Sequence, residues 1–284
     1  MKIDRADALE KMILAARAAN EVVMRVYGEP DPGTEMKGPN DPVTRADKEA
    51  NALILAHLEK ALPGIPIVAE ESDPSKFAGF ADEKVALFVD PVDGTRDFIA
   101  RTGEFCVMIG LAEEGRPTIG VVHCPEFAKG VYVAAEGIGA FVIDDAGTRT
   151  PIHVSSLSDL AQVRCAVSRF HRSKSVDAKL ATLGVKELVP VGSSGIKGVV
   201  VAAGKIELYA HPSKGNVKLW DACAPDAIVR AAGGVYTDAT GTPFDYRGAV
   251  AQGQGTVGAA PALHAEAIRR FAAYAAQHGS GPVG

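Results

Sequence analysis

Acidic residues follow two predicted buried strands and begin one predicted helix. Asp90 ends the apolar run at residues 85–89, and Asp93 follows it after a short turn. A second apolar run is followed by Glu70, and Asp221 stands at the start of a strongly apolar helix. Acids that meet at the ends of buried strands repel one another unless a cation offsets them. Carboxylate ligands without cysteine favour Mg²⁺ or another hard ion. Two such ions, roughly 3.5–4 Å apart, suit an in-line displacement at phosphorus.

The turn after Asp90 carries two further residues that suit an anion. Gly94 has no side chain to hinder the approach of an anion to backbone N–H groups, and Thr95 adds a hydroxyl beside them. The segment Asp-Pro-Val-Asp-Gly is also an ordinary turn sequence, and Asp221 taken alone is compatible with a helix N-cap. The metal-site interpretation therefore depends on the acidic segments occurring together, not on any one of them.

Three segments of the chain resemble the signatures of one enzyme superfamily. The inositol monophosphatases, which are magnesium-dependent, lithium-sensitive phosphatases, have signatures similar to Glu70-Glu71-Ser72, Asp90-Pro91-Val92-Asp93-Gly94-Thr95 and Trp220-Asp221-Ala222-Cys223-Ala224. The resemblance covers nearly the whole chain in order and spacing. It implies an α/β (α+β) fold, namely a layered αβαβα sandwich of the inositol monophosphatase and fructose-1,6-bisphosphatase type.

The resemblance also implies roles for individual residues. Two or three Mg²⁺ ions would be bound by acidic side chains and by one backbone carbonyl, from Glu70, Asp90, Val92, Asp93 and Asp221. Asp47 and Thr95 would form the pair that activates water for attack on phosphorus. Taken alone, Asp47 is an ordinary acid in the first turn of a helix, where it suits the helix dipole. No covalent enzyme intermediate is needed.

Basic and hydroxyl residues bear on which phosphate ester binds. Lys218 lies three residues before Asp221, so the segment around it should border the metal site. Basic groups in addition to the metals suit a second phosphate on the substrate. The predicted substrate-binding residues are Gly94, Thr95, Ser168, His171, Ser193, Ser194, Lys197, Lys214 and Lys218.

The segments Ser168–His171, Gly192–Lys197 and Lys218–Pro225 resemble the 3'(2'),5'-bisphosphate nucleotidase branch of the superfamily. The substrate of that branch is adenosine 3',5'-bisphosphate. In that branch, the residues that match His171 and Lys197 contact the nucleotide. Inositol monophosphatases typically have a Glu seven residues before the helix acid, where this chain has Lys214. A lysine cannot accept hydrogen bonds, which disfavours inositol hydroxyls there. An inositol or other sugar phosphate is the alternative substrate, and a non-catalytic nucleotide sensor is the alternative of another class.

Apolar periodicity predicts the elements that position these residues. An amphipathic helix ends at Gly28, a Pro- and Gly-rich loop that we expect to be mobile spans residues 29–42, and a second helix follows. Later apolar runs predict an antiparallel sheet, and then shorter alternations of strands and helices. We therefore predict an α+β subdomain at residues 1–150 with most metal ligands. An α/β subdomain at residues 151–284 would carry the specificity residues and Asp221.

Composition excludes several classes of protein. The 284 residues include 30 Lys and Arg against 35 Asp and Glu, a net charge of −5, and 47% are hydrophobic. Neither a disordered chain nor a binder of nucleic-acid polymers is therefore expected. The remaining expected partner is a small phosphate ester, and the family resemblance adds that two copies can form a homodimer.

The cysteines and the apolar runs predict a cellular setting. The 4 cysteines form no CxxC pair, which favours a reducing cytoplasm over a disulfide framework or a zinc site. The first residues lack the basic-then-apolar pattern of a signal peptide. No apolar run approaches the roughly 20 residues that span a bilayer, so we expect no membrane partner.

Overall fold

The computed structural model describes residues 3–213 and 217–278 of the chain. Its α-helices are α1 (Arg5–Tyr27), α2 (Arg45–Ala61), α3 (Thr95–Ile99), α4 (Lys174–Ala181), α5 (Ser194–Ala202), α6 (Leu219–Ala231) and α7 (Pro261–His278). Short 3-10 helices lie at Pro74–Phe77, Phe80–Asp82 and Leu160–Gln162. In the described ranges, no helix is both long enough and apolar enough to cross a membrane.

A hairpin occupies most of the segment that we predicted to be a mobile loop. Strands β1 (Glu35–Gly38) and β2 (Asp41–Val43) pair antiparallel, with Asn40 between them at a φ of 61°. Asn tolerates this left-handed conformation better than most residues, so it suits the turn. The loop prediction, which covered residues 29–42, was therefore wrong for residues 35–42, because short polar strands give no apolar alternation to detect.

The first large sheet has its seven strands in sequence order. They are β3 (Ile67–Ala69), β4 (Val85–Asp93), β5 (Cys106–Glu113), β6 (Arg116–Cys124), β7 (Gly130–Ala135), β8 (Gly139–Ile143) and β9 (Arg149–Pro151). Strand β3 is parallel to β4, and all later neighbours are antiparallel. The predicted antiparallel sheet of neighbouring strands is thus confirmed from β4 onward.

The second large sheet has five strands in the order β11-β10-β12-β16-β14. The remaining strands in the described part of the chain are β10 (Arg164–Ser168), β11 (Glu187–Val191), β12 (Leu208–His211), β13 (Val217–Lys218), β14 (Val235–Thr237), β15 (Ala251–Gln252) and β16 (Thr256–Ala259). Strand β10 is parallel to both β11 and β12, whereas β16 is antiparallel to its neighbours. Strands β13 and β15 form a separate short pair.

The two sheets and the helices stack in alternating layers. Helices α1 and α2 cover one face of the first sheet, where Ile54 packs with Leu87. The other face, which carries Phe88, packs on α5 and α6, and these helices also contact the second sheet. Helices α4 and α7 cover the outer face of the second sheet, around Leu208. The order is therefore α-β-α-β-α, which confirms the predicted layered sandwich.

Helix α6 lies close to the first sheet because the facing strands have glycines there. A Cβ at Gly110 would lie 2.6 Å from Cys223 Sγ, and one at Gly120 would lie 2.4 Å from the carbonyl oxygen of Ala224. Such distances are too short for any side chain in a close-packed interior. Because Asp221 lies in the first turn of the same helix, these glycines let it approach the end of β4. The helix is also shared between both sheets, so the division at residue 150 stays a prediction.

A buried histidine joins α7 to β14. His264 Nε2 lies 2.8 Å from Thr237 Oγ1. Burial, together with the nearby charge of Arg230, lowers the pKa of His264 to about 4. A histidine in an unfolded chain has a pKa of about 6.5. As the pH falls, His264 is therefore protonated in the unfolded state before it is protonated in the folded state. The free energy of unfolding should fall between about pH 6.5 and pH 4 as a result.

We expect His264→Gln to weaken this pH dependence. Between pH 6.5 and pH 4, its free energy of unfolding should fall less than that of the wild type, as measured by urea denaturation. The exposed His153 is the matched control, and His153→Gln should follow the wild-type curve. If the free energy of unfolding fell equally with pH in the wild type and in His264→Gln, the interpretation would be contradicted.

Candidate active site

Three carboxylates from two elements meet at one point. Asp90 and Asp93 lie at the end of β4, and Asp221 lies in the first turn of α6. One oxygen from each lies within 4.8 Å of the others. Residues three apart on a regular strand point to opposite faces, but the pairing of β4 with β5 shifts register between Asp90 and Asp93. This irregularity lets both side chains reach Asp221.

Burial and mutual repulsion make this acidic cluster costly without a cation. Burial raises the pKa of Asp90 well above its usual range, and the charges of Glu70, Asp93 and Asp221 raise it further. Burial likewise raises the pKa of Asp221 well above its usual range, with Asp93 and Glu70 adding to the effect. A bound divalent cation offsets these effects, and carboxylates are the ligands that Mg²⁺ and similar ions prefer. The residues present therefore fit a metal centre.

Glu70 lies beside the acidic cluster and is paired with a lysine of the hairpin. It follows β3, and burial raises its pKa to about 7, while the ammonium of Lys37 opposes this shift. Lys37 Nζ lies 3.1 Å from Glu70 Oε1 and 2.6 Å from Glu71 Oε1. The sequence analysis missed Lys37 because it lies 33 residues before Glu70, in the segment predicted to be a loop.

Asp93 is held by groups from the second half of the chain. Its Oδ2 accepts hydrogen bonds from the hydroxyls of Ser193 and Ser194 and from the N–H of Gly195, the last two at 3.0 and 2.7 Å. These donors lie at the start of α5, where the helix dipole favours negative charge. Ser193 adopts a φ of 56°, which is costly for a residue with a side chain. The Oδ1 atom takes no part in these bonds.

Asp47 and Thr95 are in direct contact. Thr95 Oγ1 lies 3.1 Å from Asp47 Oδ1 and 3.2 Å from the carbonyl oxygen of Val92. The other carboxylate oxygen of Asp47 accepts bonds from the N–H and hydroxyl of Thr44, in a capping box that begins α2. Burial raises the pKa of Asp47, and the bonds from Thr44 act in the opposite direction.

A cleft of about 690 Å³ opens beside the acidic cluster. It is lined by Asp93 and Asp221, and by most of the predicted substrate-binding residues. Those are Gly94, Thr95, Ser168, His171, Ser193, Ser194 and Lys197. Gly94 has a φ of 96°, and a Cβ there would lie 2.7 Å from the carbonyl oxygen of Glu104, so this wall requires glycine.

Lys197 is the buried cation of the cleft. Only 4% of it is exposed, and its Nζ donates to the carbonyl oxygens of Val191, at 3.3 Å, and Ser193. The ammonium also lies 5.4 Å from the centre of the Tyr209 ring. Burial lowers the pKa of Lys197, whereas the charge of Asp93 raises it. An ammonium has three donors, so two carbonyl bonds leave one donor for a ligand.

Histidines lie close to this lysine. The backbone N–H of His171 donates a hydrogen bond to Ser168 Oγ at 3.0 Å. Its pKa is lowered by burial and then by the positive charges of Arg96 and Lys197. His211 also lines the cleft, and burial, followed by the charges of Lys197 and His171, lowers its pKa to about 4. The cleft is thus lined by both acidic and basic side chains.

One predicted lysine, Lys218, is not among the described residues that line the cleft. Lys218 is exposed, and its ammonium lies 5.9 Å from the centre of the Trp220 ring. It immediately precedes α6 in extended conformation, so closeness to Asp221 in sequence does not bring its side chain to the cleft. Lys214 lies outside the described residues. The substrate-binding roles given to both remain predictions.

A partly buried ion pair that the sequence analysis missed supports one wall of the cleft. Glu104 accepts hydrogen bonds from Arg169 Nε and Nη2, at 2.9 and 2.6 Å, and from the N–H of Gly192, at 2.6 Å. It thereby joins the segment before β5 to the end of β10 and to the turn before α5. No sequence signal could have found it, because Glu104 and Arg169 are 65 residues apart.

Hard-ion ligands beside a cleft that also has basic side chains are typical of hydrolases that act on phosphate esters. A sequence profile of the Inositol monophosphatase family matches residues 5–276. The chain therefore belongs to the inositol monophosphatase family, whose members depend on a metal ion. Its enzyme class is that of the phosphatases that hydrolyse phosphoric monoesters.

Relatives and solved structures agree with this assignment. The 3'(2'),5'-bisphosphate nucleotidase CysQ of Salmonella typhimurium is 37% identical over 239 residues, which cover 84% of this chain and 93% of that protein. The extragenic suppressor protein suhB of Bartonella henselae has a TM-score of 0.80 and 27% identity, covering 93% of this chain and 98% of its own. CysQ of Bacteroides thetaiotaomicron, a bacterial member of the family, has a TM-score of 0.72 and 27% identity, covering 90% and 98%.

We expect Asp221→Asn to abolish metal-dependent phosphate release. The variant should not lower the melting temperature of the metal-free protein, because it removes one of several carboxylates that repel one another. Mg²⁺ should raise the melting temperature of the wild type more than that of the variant. Phosphate release and scanning calorimetry, with Mg²⁺ and with EDTA, measure both effects.

A second buried acid of α6 provides the matched control. Asp226 accepts hydrogen bonds from Arg230 and from the Tyr246 hydroxyl. Asp226→Asn should therefore lower the melting temperature but keep the rise caused by Mg²⁺. If Asp221→Asn instead destabilised the metal-free protein as much as Asp226→Asn does, Asp221 would be a structural residue.

Proposed function

We propose that this protein is a Mg²⁺-dependent phosphatase that releases the 3'-phosphate of adenosine 3',5'-bisphosphate, giving adenosine 5'-monophosphate and phosphate. The observation that carries the proposal is the polarity of the cleft. The acids Asp93 and Asp221 line it together with the basic residues Lys197, His171 and His211. The Lys197 ammonium has a third donor beyond its two carbonyl bonds. A substrate with two phosphates matches such a cleft, because metals neutralise one phosphate and basic groups bind the other.

The metal ligands in this proposal are those that the family resemblance implied. Glu70, Asp90, Asp93 and Asp221 would hold two or three Mg²⁺ ions with the carbonyl oxygen of Val92. Bound Mg²⁺ supplies positive charge to the phosphoryl oxygens and makes a coordinated water more acidic. The hydrogen bonds to Asp93 support this role, since the hydroxyls of Ser193 and Ser194 and the N–H of Gly195 bind Oδ2 and leave Oδ1 for a ligand.

The chain's own residues orient the attacking water. The Thr95 hydroxyl donates a hydrogen bond to Asp47 Oδ1. The lone pairs of the hydroxyl oxygen are then free to accept a hydrogen bond from water. Asp47 is fixed by Thr44, so the pair is held in one geometry before substrate arrives. Such pre-organisation lowers the entropic cost of the reaction.

We expect Thr95→Val to lower kcat on the order of 100-fold with little change in KM, because the shape is kept and the hydroxyl is lost. Thr95→Ser keeps the hydroxyl and should retain most of the activity. Steady-state kinetics with Mg²⁺ at saturation provides the measurement. Equal losses in both variants would contradict the role of the hydroxyl.

The substrate is tested by parallel assays of phosphate release with Mg²⁺. We expect kcat/KM to be higher for adenosine 3',5'-bisphosphate than for inositol 1-phosphate or fructose 1,6-bisphosphate. A higher value for inositol 1-phosphate would support the sugar-phosphate alternative instead. Binding of the nucleotide without turnover of any ester would support the sensor alternative.

Lys197→Met should separate the two phosphates of the substrate. A hydrogen bond to a charged group contributes about 1.5–3 kcal/mol, so KM for the bisphosphate should rise about 10-fold or more, and KM for inositol 1-phosphate much less. The matched control is Lys205, whose ammonium lies 5.5 Å from the centre of the Tyr132 ring, outside the cleft-lining residues. Lys205→Met should leave both KM values unchanged. Equal losses on the two substrates in Lys197→Met would count against a second-phosphate site.

The setting of the enzyme is part of the proposal. A reducing cytoplasm is supported by four cysteines that are all free and buried. The homodimer, the absence of a nucleic-acid polymer as partner and the absence of a membrane partner stay predictions.

A further inference from the structure

One exposed aromatic ring of an apolar side chain lines the cleft. The large hydrophobic side chains that are exposed in the described part of the chain are Leu14, Met36, Phe127, Ile138, Leu157 and Phe170. Of these, only Phe170 lines the cleft, and 42% of it is exposed. The cleft tyrosines differ, because Tyr209 is 4% exposed and Tyr236 1%, so neither presents a ring face.

Both sequence neighbours of Phe170 are held by hydrogen bonds, Arg169 through its side chain and His171 through its backbone. Arg169 is bound through two nitrogens to the buried carboxylate of Glu104. The N–H of His171 is bonded to Ser168 Oγ, at 3.0 Å. Two anchored neighbours restrict where the Phe170 ring can lie, so it is held at the cleft instead of swinging on a free loop.

The surroundings of the ring select the kind of ligand. Arg169, His171 and Arg172, which flank it in sequence, also line the cleft, so the ring is not part of a broad apolar patch. A protein partner would need such a patch. A single aromatic face among cationic groups instead suits a flat, uncharged ring that is attached to phosphates, and aromatic side chains stack on nucleobases in this way.

We propose that Phe170 is a specificity-determining residue that stacks on the purine base of the substrate. This inference rests on the proposed function and deepens it, because the base is the part of the nucleotide that inositol and sugar phosphates lack. The phosphates bind at the metal ligands and the basic side chains of the cleft, and the base lies against the ring of Phe170.

The test compares two substrates on matched variants. The substrates are adenosine 3',5'-bisphosphate and the same ribose bisphosphate without a base, 1,4-anhydroribitol 3,5-bisphosphate. Phe170→Leu should raise KM for the nucleotide about tenfold, equivalent to about 1.4 kcal/mol, and leave KM for the base-free analogue unchanged. Phe170→Tyr keeps a ring and should retain the wild-type KM. Phe127→Leu, a second exposed phenylalanine outside the cleft-lining residues, should change neither value.

The outcomes separate this inference from the proposed function. If the wild type hydrolyses the nucleotide but Phe170→Leu leaves its KM unchanged, or raises KM equally for both substrates, the inference is overturned and the proposed function stands. If the wild type does not hydrolyse the nucleotide, the proposed function fails. Calorimetric binding of the nucleotide then decides the inference: weaker binding by Phe170→Leu supports it, and equal or absent binding in both proteins overturns it.

Discussion

The structure depends on holding like-charged carboxylates together. Asp90, Asp93 and Asp221 each bring one oxygen within 4.8 Å of the others. Their repulsion, together with burial, raises the pKa of Asp90 and of Asp221 well above the usual range. Folding must therefore offset this repulsion with other contacts. Glycines on the facing strands let α6 pack closely on the first sheet, and the hydroxyls at the start of α5 bind Asp93.

The same contacts place the cleft between the two halves of the chain. Asp93 comes from the first sheet, and the donors that hold its Oδ2 come from α5, about a hundred residues later. Glu104 repeats this pattern, because it holds Arg169 of the second half and the N–H of Gly192. Metal ligands and substrate-binding residues are therefore positioned by one continuous network, and a change in either sheet is expected to reach both.

The local parts of this site could be predicted from the sequence. The end of β4 and the turn after it hold Asp90, Asp93 and Thr95 within six residues, and this spacing, together with the other acidic segments, indicated a site there. Periodicity also predicted the helices and most strands that carry them. The pairing of the distant residues Asp47 and Thr95 came from the family resemblance. The pairing of Lys37 with Glu70 could not be predicted, because nothing in the sequence links these two residues. Lys218 shows the converse, since closeness in sequence to a metal ligand does not determine where a side chain lies.

The central claim is that the acidic cluster is a metal centre. Crystals grown with Mn²⁺ and measured at its absorption edge test this claim most directly. We expect an anomalous peak within coordination distance of the carboxylates of Asp90, Asp93 and Asp221, and none there in crystals of Asp221→Asn soaked at the same concentration. Peaks confined to other acids on the surface, with none at the acidic cluster of the wild type, would contradict the account.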